Sequence, residues 1–456
     1  MKSILSLLAA AWLLSTGVLH AGDPVRVGVF DVDASTPEGS PLAYDPAKGV
    51  QTPLSCRGIV LAGSGKPIVL CAVDWIGIGN GGQTVFKEAL AEAAGTDPDR
   101  VAVHVLHQHD APRCDFSADA LLAEHGIGGA AFDPEHARSV VKNAAAAVKV
   151  ALAEARVVTH LGLGSGTVEK VASNRRLLGE DGKVKHTRWT AAKDPEVRAL
   201  PVGTIDPELM LISFWNDDEA LAALTYYATH PQSYYRTGMA SPDFPGLARN
   251  QRQETTGVPH VHFNGAGGNI GAGKWNDGSK ENRQVLADRV AAGMEQAWEA
   301  TEKDPLDAGD VAWNVVPVVL PVAEHLNEDE LKEKLANRLE TPSDRYFAAK
   351  NLVWLRRCRD GDPIPIACLA LGEARVLHLP GELFVEYQLA AKKLRPDLFV
   401  AVAAYGDYAP GYIGTEIAYG QGGYETSARA SKVAPDVEGV LMGAIQKLLE
   451  ATPPKN

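Results

Sequence analysis

The sequence predicts an α/β fold: mixed β-sheets flanked by helices in a single large domain. Apolar, β-prone runs alternate with helix-spaced runs along almost the whole chain. No internal repeat or low-complexity linker interrupts them. The length, 456 residues, is one that enzymes with large sheets use as a single unit.

The elements follow in order. Residues 25–32, 58–61 and 67–73 are strand-like. An amphipathic helix at 85–94 precedes a strand at 101–106. Residues 136–155 carry Ala, Val and Lys at helical spacing, and 157–171 read as strand with glycines marking bulges. Residues 209–215 and 220–228 form a hairpin about Asn216-Asp217-Asp218, and 261–264 lead into a glycine-rich loop. Helices follow at 283–302, 328–339, 343–357 and 382–393. A last helix spans 435–449, its proline tolerated in the first turn. The stretch 303–309 is the best candidate for a division between two halves.

Residues 1–21 read as an export signal: Lys2, an apolar run at 4–14, and Ala21 before Gly22. That run is shorter than a membrane span requires, and no later segment is apolar enough to be one. The expected product is exported, periplasmic or secreted, with one domain at 22–450 and a disordered tail at 451–456. A net charge of −13 argues against nucleic acid and anionic membranes as partners. The cysteines are Cys56, Cys71, Cys114, Cys358 and Cys368. An odd number leaves one thiol unpaired, although Cys56–Cys71 and Cys358–Cys368 bridges are compatible with export. No Cys-x-x-Cys pair offers a thiolate zinc site.

His107-Gln108-His109-Asp110-Ala111-Pro112 follows the strand at 101–106. Residues i and i+2 of an extended backbone point to one side, so both imidazoles can face one cavity. Imidazole is the commonest metal ligand. His230 ends another strand, before Pro231, and Asp243 lies in a turn beyond it. His378 ends a third strand, before Pro380-Gly381-Glu382. By itself Glu382 is equally an acid at a helix start. His260 and His262 form a second His-x-His, but inside a strand, which favours a structural role.

Taken together these segments resemble the catalytic domain of the neutral, non-lysosomal ceramidases, exported or surface zinc amidases that cleave the N-acyl bond of ceramide. The resemblance runs from about Val25 to Leu449. The family's His-x-His motif is similar to His107-Gln108-His109, and its second zinc histidine to His230. Its Pro-Gly-Glu ligand is similar to Pro380-Gly381-Glu382, and its tyrosine near the metal to Tyr412. Asn174-Arg175-Arg176 resembles a segment whose arginine lines the active site. The resemblance implies one zinc per chain held by His107, His230, Glu382 and Tyr412, with His109 and Arg175 as catalytic groups. The composition of such a site, nitrogen and oxygen with room for water, is that of a catalytic centre.

One departure matters. The ceramidases carry a serine in a loop matching Asn264-Gly265-Ala266-Gly267-Gly268-Asn269, where this chain has Gly267. No Ser, Thr or Cys occurs from 263 to 272. Hydrolysis by zinc-activated water needs no such serine. Gly267, Gly268 and Asn269 are then expected to line substrate or offer N–H donors to an oxyanion. The expected function is an exported zinc-dependent amidohydrolase, cleaving an N-acyl amide of a small or lipid-like molecule. The alternatives are a zinc esterase or lactonase on a carbohydrate-derived substrate, and a non-catalytic zinc-containing binding protein.

Overall fold

The computed structural model describes residues 24–451. The expected leader 1–21, the start at Gly22 and the tail beyond Ala451 lie outside the described residues.

Three sheets organise the chain. The first orders Val101–Val105, Ile68–Val73, Ser55–Ala62, Arg26–Asp33 and Arg156–Val157. The second orders His260–Asn264, Glu219–Tyr227, Glu208–Asn216, His160–Thr167 and Glu302–Pro305. The third orders Val311–Val318, Ile364–Leu371, Ala374–His378 and Phe399–Ala403. Each contains one parallel pair: Ile68–Val73 with Val101–Val105, Glu219–Tyr227 with His260–Asn264, and Ala374–His378 with Phe399–Ala403. The other pairings are antiparallel. The mixed-sheet α/β architecture is the one predicted.

A parallel pair needs a crossover, and helices supply them. Gly81–Ala94, Asp243–Thr256 and Val385–Leu394 connect the three pairs in turn. The sheets pack on one apolar core built from Leu70 and Ala102 of the first, Ile212 and Phe263 of the second, and Val376 and Ala401 of the third. Their parallel strand ends are stitched together: Val105 N–H donates to the Tyr405 carbonyl at 3.0 Å, and Ala404 N–H to the Asn264 carbonyl at 2.9 Å. The Asn264 side chain donates to the Leu106 carbonyl. Three strand ends, one from each sheet, therefore meet in one place.

The structure departs from the sequence reading at several elements. Residues 241–246, expected as a turn, open the helix Asp243–Thr256; its polar sequence with an early Pro and Gly hides the periodicity. Residues 157–171 divide between two sheets, Arg156–Val157 pairing in the first and His160–Thr167 in the second. Their glycines are not bulges. A Cβ at Gly164 would collide with the Ala297 carbonyl, so these glycines let the helix Glu281–Glu299 lie directly on the strand. Residues 303–309 do not divide the molecule: Glu302–Pro305 is an edge strand of the second sheet, and the chain continues into the third. Glu382 is not in a helix; Glu382–Leu383 is a short strand paired with Tyr412–Ile413, and the helix starts at Val385. All five cysteines are free thiols, with the Cys56 and Cys71 sulfurs 3.6 Å apart on adjacent strands.

His260 and His262 are buried within the second sheet, at 2.8 Å from the Val258 carbonyl and 2.9 Å from the Thr225 hydroxyl. Burial pushes them down to about 4 and about 3. Arg249 adds to this at His262, against the opposing pull of Asn264 and Asp74. The unfolded chain therefore takes up protons below about pH 6.5 that the folded chain refuses, so stability is full above that pH and falls as pH drops toward 4. Each histidine contributes a slope of about 1.4 kcal/mol per pH unit in that window. Guanidinium unfolding in chelator is expected to show a lower midpoint at pH 5.0 than at pH 7.5, and a smaller difference in His262→Gln.

Candidate metal centre

His107 follows the strand Val101–Val105 with φ 65°, so the backbone has left the extended conformation. The expected i, i+2 geometry does not apply. The left-handed turn still brings the rings of His107 and His109 to centroids 5.2 Å apart. Such strain in a non-glycine residue costs about 1–3 kcal/mol and persists only where its surroundings hold it. Here His107 N–H donates to the Trp75 carbonyl at 2.9 Å. Its ring Nδ1 lies 2.6 Å from the Ile76 carbonyl. A carbonyl only accepts, so Nδ1 carries the proton and Nε2 presents a bare lone pair.

That lone pair meets Glu382. Its Oε2 is 3.3 Å from His107 Nε2 and 3.6 Å from His230 Nδ1. All three atoms are buried and none has a hydrogen-bond partner. Leaving a buried polar atom unpaired costs about 1–3 kcal/mol. Zinc bonds of about 2.1 Å give tetrahedral ligand edges of about 3.4 Å, which the observed spacing fits. The other Glu382 oxygen accepts from the Tyr408 hydroxyl at 2.5 Å. Burial alone would raise the Glu382 carboxyl, but His107, Tyr408 and Tyr412 together hold it below its ordinary value. His230 is pushed well below its ordinary value, first by burial and then by His107. A neutral imidazole and an ionised carboxylate are the protonation states a metal requires.

Tyr412 is the register partner of Glu382. Its ring stacks on His230 at 6.3 Å, and its hydroxyl accepts from Arg175 Nη1 at 3.1 Å. Burial raises this phenol well above its ordinary value, with Arg175 opposing. Arg175 is buried and anchored to Glu425 at 3.2 Å. Among the described residues, His107, His109 and His230 form the one group of three or more His, Cys, Asp or Glu side chains whose donors lie within 4.8 Å of one another. His109 differs from the other two. Its Nε2 is 3.0 Å from His230 Nε2, and its Nδ1 is 2.9 Å from the Tyr44 hydroxyl and 3.0 Å from Gln232 Nε2. No His109 nitrogen is bare. The atoms placed to receive an ion belong to His107, His230 and Glu382, with the Tyr412 hydroxyl beside them.

The glycine loop has a different part from the one expected. Gly268 N–H donates to the Leu383 carbonyl at 2.7 Å. The Asn269 side chain accepts from Val385 N–H at 2.9 Å and donates to Glu386 at 2.8 Å. Neither is an open donor; the loop clamps the segment that carries Glu382. A Cβ at Gly267 would stand 2.7 Å from the Thr229 carbonyl group and 2.9 Å from the Tyr405 hydroxyl. The backbone beside His230 thus occupies the space a serine would need. Asp243 caps the loop after His230, accepting from Ser233 N–H at 3.1 Å, and touches no histidine. His378, at the end of a strand of the third sheet, pairs with His104 of the first at 2.9 Å.

Sequence reasoning missed Tyr408, Tyr44 and Gln232. Tyr408 had a signal, since Tyr405, Tyr408 and Tyr412 crowd one turn after a strand end. Tyr44 had none; it reaches His109 from a loop distant in sequence. Gly267→Ser is expected to lower the melting temperature by several degrees and to reduce bound metal, through displacement of Thr229 and Tyr405. Thermal unfolding and metal analysis check this; a serine variant of unchanged stability and metal content contradicts it.

No protein-family model and no curated protein sequence matches this chain. Solved structures are similar to it, among them two ceramidases. One, described as a ceramidase complexed with C2, matches with a TM-score of 0.67 at 18% identity, over 95% of this chain and 77% of that one. The other, a neutral ceramidase from Pseudomonas aeruginosa, matches with a TM-score of 0.65 at 18% identity, over 95% of this chain and 76% of that one. The chain therefore has the α/β fold seen in neutral ceramidase.

Proposed function

We propose that this protein is a metal-dependent amidohydrolase, cleaving an N-acyl amide at a zinc held by His107, His230, Glu382 and Tyr412. The observation that carries the reading is the set of three bare, buried donor atoms spaced as zinc ligands. The ceramidase-like fold supports it. A bound zinc would supply a water acidic enough to attack near neutral pH and would polarise the carbonyl.

The chain's own residues do the rest. Arg175, fixed by Glu425 beneath it, faces the hydroxyl of Tyr412 and is placed to stabilise charge developing on the carbonyl oxygen. His109 is held at one nitrogen by Tyr44 and Gln232 and is placed to pass a proton to the leaving amine. Burial of the centre keeps bulk water out. The close packing at Gly267 weakens the non-catalytic alternative, because the missing serine reflects backbone that fills its place rather than a lost nucleophile. An ester or lactone substrate would use the same groups.

We assign residues 22–450 to this catalytic domain and 1–21 to a cleaved export signal. No helix among the described residues is long and apolar enough to cross a membrane. The substrate is proposed to be a small or lipid-like amide.

Metal analysis tests the centre. The wild-type protein is expected to hold about one zinc per chain, with loss in His107→Ala and His230→Ala. His109→Gln should keep the metal and lose roughly 10²–10⁴-fold in kcat on an amide panel. Undiminished zinc in both alanine variants would overturn the assignment. Intact-mass measurement of protein from its native host is expected to place the first residue near Gly22, and a retained Met1 contradicts export.

A further inference from the structure

Several buried arginines of this molecule are held by carboxylates, Arg175 and Arg176 by Glu425, Arg249 by Asp74 and Arg283 by Asp243, whereas Arg188, Arg345 and Arg375 rest on backbone carbonyls. Beside the metal centre two further arginines, Arg113 half-buried and Arg236 exposed, also stand apart from carboxylates. Arg113 donates to the Ala43 carbonyl at 2.6 Å, and Arg236 lies over the Tyr44 ring at 5.0 Å. Among the described residues neither makes an ion pair with a carboxylate. Both touch the same bend, at 43–44. The Tyr44 ring stacks on His109 at 5.7 Å, yet Tyr44 is 42% exposed. It runs from the centre to solvent.

Arg236 has a second distinguishing feature. It is exposed and adopts φ 64°, a conformation that a side chain makes unfavourable. That turn lays its guanidinium across Tyr44 and Tyr235, the latter at 5.9 Å. Arg175, beside Tyr412, lies over the rings of Trp189 and Tyr424, each at 5.9 Å, and Trp189 is 53% exposed. A chain of net charge −13 thus places two cations without carboxylate partners, and several aromatic faces, beside one centre. Clustered charge of one sign concentrates counter-charged ligands. Planar guanidinium groups match the oxygen geometry of carboxylate and phosphate.

We propose that Arg113 and Arg236 form an anion subsite, so that the amide cleaved here carries a carboxylate or phosphate near its scissile bond. This rests on reading the centre as an amidase. It narrows the substrate from neutral lipid amides to acidic ones.

Matched probes test it. N-octanoylglycine carries the anion on the amine side, and N-octanoylglycinamide is its neutral counterpart. N-octanoyl-O-phosphoethanolamine and N-octanoylethanolamine form the phosphate pair. N-octylsuccinamic acid and N-octylsuccinamide place the carboxylate and its neutral counterpart on the acyl side. Calorimetric binding to the full chain in chelator is expected to favour an acid over its neutral partner about tenfold, the scale of one partly desolvated guanidinium–carboxylate pair. The preference should shrink in 0.5 M salt as screening increases. With zinc present, the same preference is expected in KM rather than kcat. Arg236→Ala should collapse the acid-to-neutral ratio, and Arg236→Lys should restore part of it. Equal affinity for every pair, or an Arg236→Ala variant that weakens both members equally, overturns the subsite. Selective binding of the acids without hydrolysis of any probe would leave the subsite standing and count against the amidase reading.

Discussion

The structure depends on three polar atoms that have no partner inside the protein. His107 Nε2, His230 Nδ1 and Glu382 Oε2 face one another in a buried space. Three buried polar atoms without a hydrogen bond gain little from such proximity alone. Each costs free energy to bury, and the folded chain must offset that cost elsewhere. A divalent cation turns the same arrangement into a favourable one. The centre is thus a local weakness of the fold when no cation is bound, and the proposed function places the chemistry there.

The offset comes from how the surrounding backbone is built. Each sheet contributes one parallel pair, and the ends of those pairs supply the loops bearing His107, His230 and Glu382. This is the general placement of ligand sites in α/β proteins, beyond the carboxyl ends of parallel strands. Beneath the His107 loop lies a fully buried ion pair: Arg249 makes two contacts to Asp74, at 2.7 and 2.9 Å. Asp74 also accepts from Ser55, and its carbonyl accepts from the Gln108 side chain. Breaking a buried pair by removing one partner costs about 3–5 kcal/mol, so Asp74 holds the histidine loop firmly. Glu382 and Tyr412 need no separate device. They are register partners in a two-residue parallel pair, so placing one places the other.

The glycine loop works by the same logic. It lies against the backbone on either side, with Gly265 N–H donating to the Tyr227 carbonyl at 2.8 Å and Gly268 N–H to that of Leu383 at 2.7 Å. It ties the strand end before His230 to the segment of Glu382. A nucleophilic side chain has no room there, so the proposed chemistry rests on the groups around His107, His230 and Glu382. Tyr44 touches both His109 and solvent and is flanked by Arg113 and Arg236.

The sequence by itself determined the mixed-sheet architecture and pointed to the strand-end histidines that the fold brings together. Strand and helix runs were legible because hydrophobic periodicity is local, and the three strand-end segments stood out because His and Glu beside Pro and Gly are legible without a fold. Non-local consequences were not legible. The helix Asp243–Thr256 is too polar to show a period, and it forms because it must connect a parallel pair. The left-handed turn at His107 follows from bonds to Trp75 and Ile76, thirty residues earlier. Gly164 and Gly267 looked like a bulge and an open loop; both are glycines because another backbone presses against them. Which of the histidines present bare atoms, and that Tyr44, Gln232 and Tyr408 surround them, was decided only by tertiary packing. Hydrogen-bond satisfaction is a property of the assembled interior, and no run of residues carries it alone.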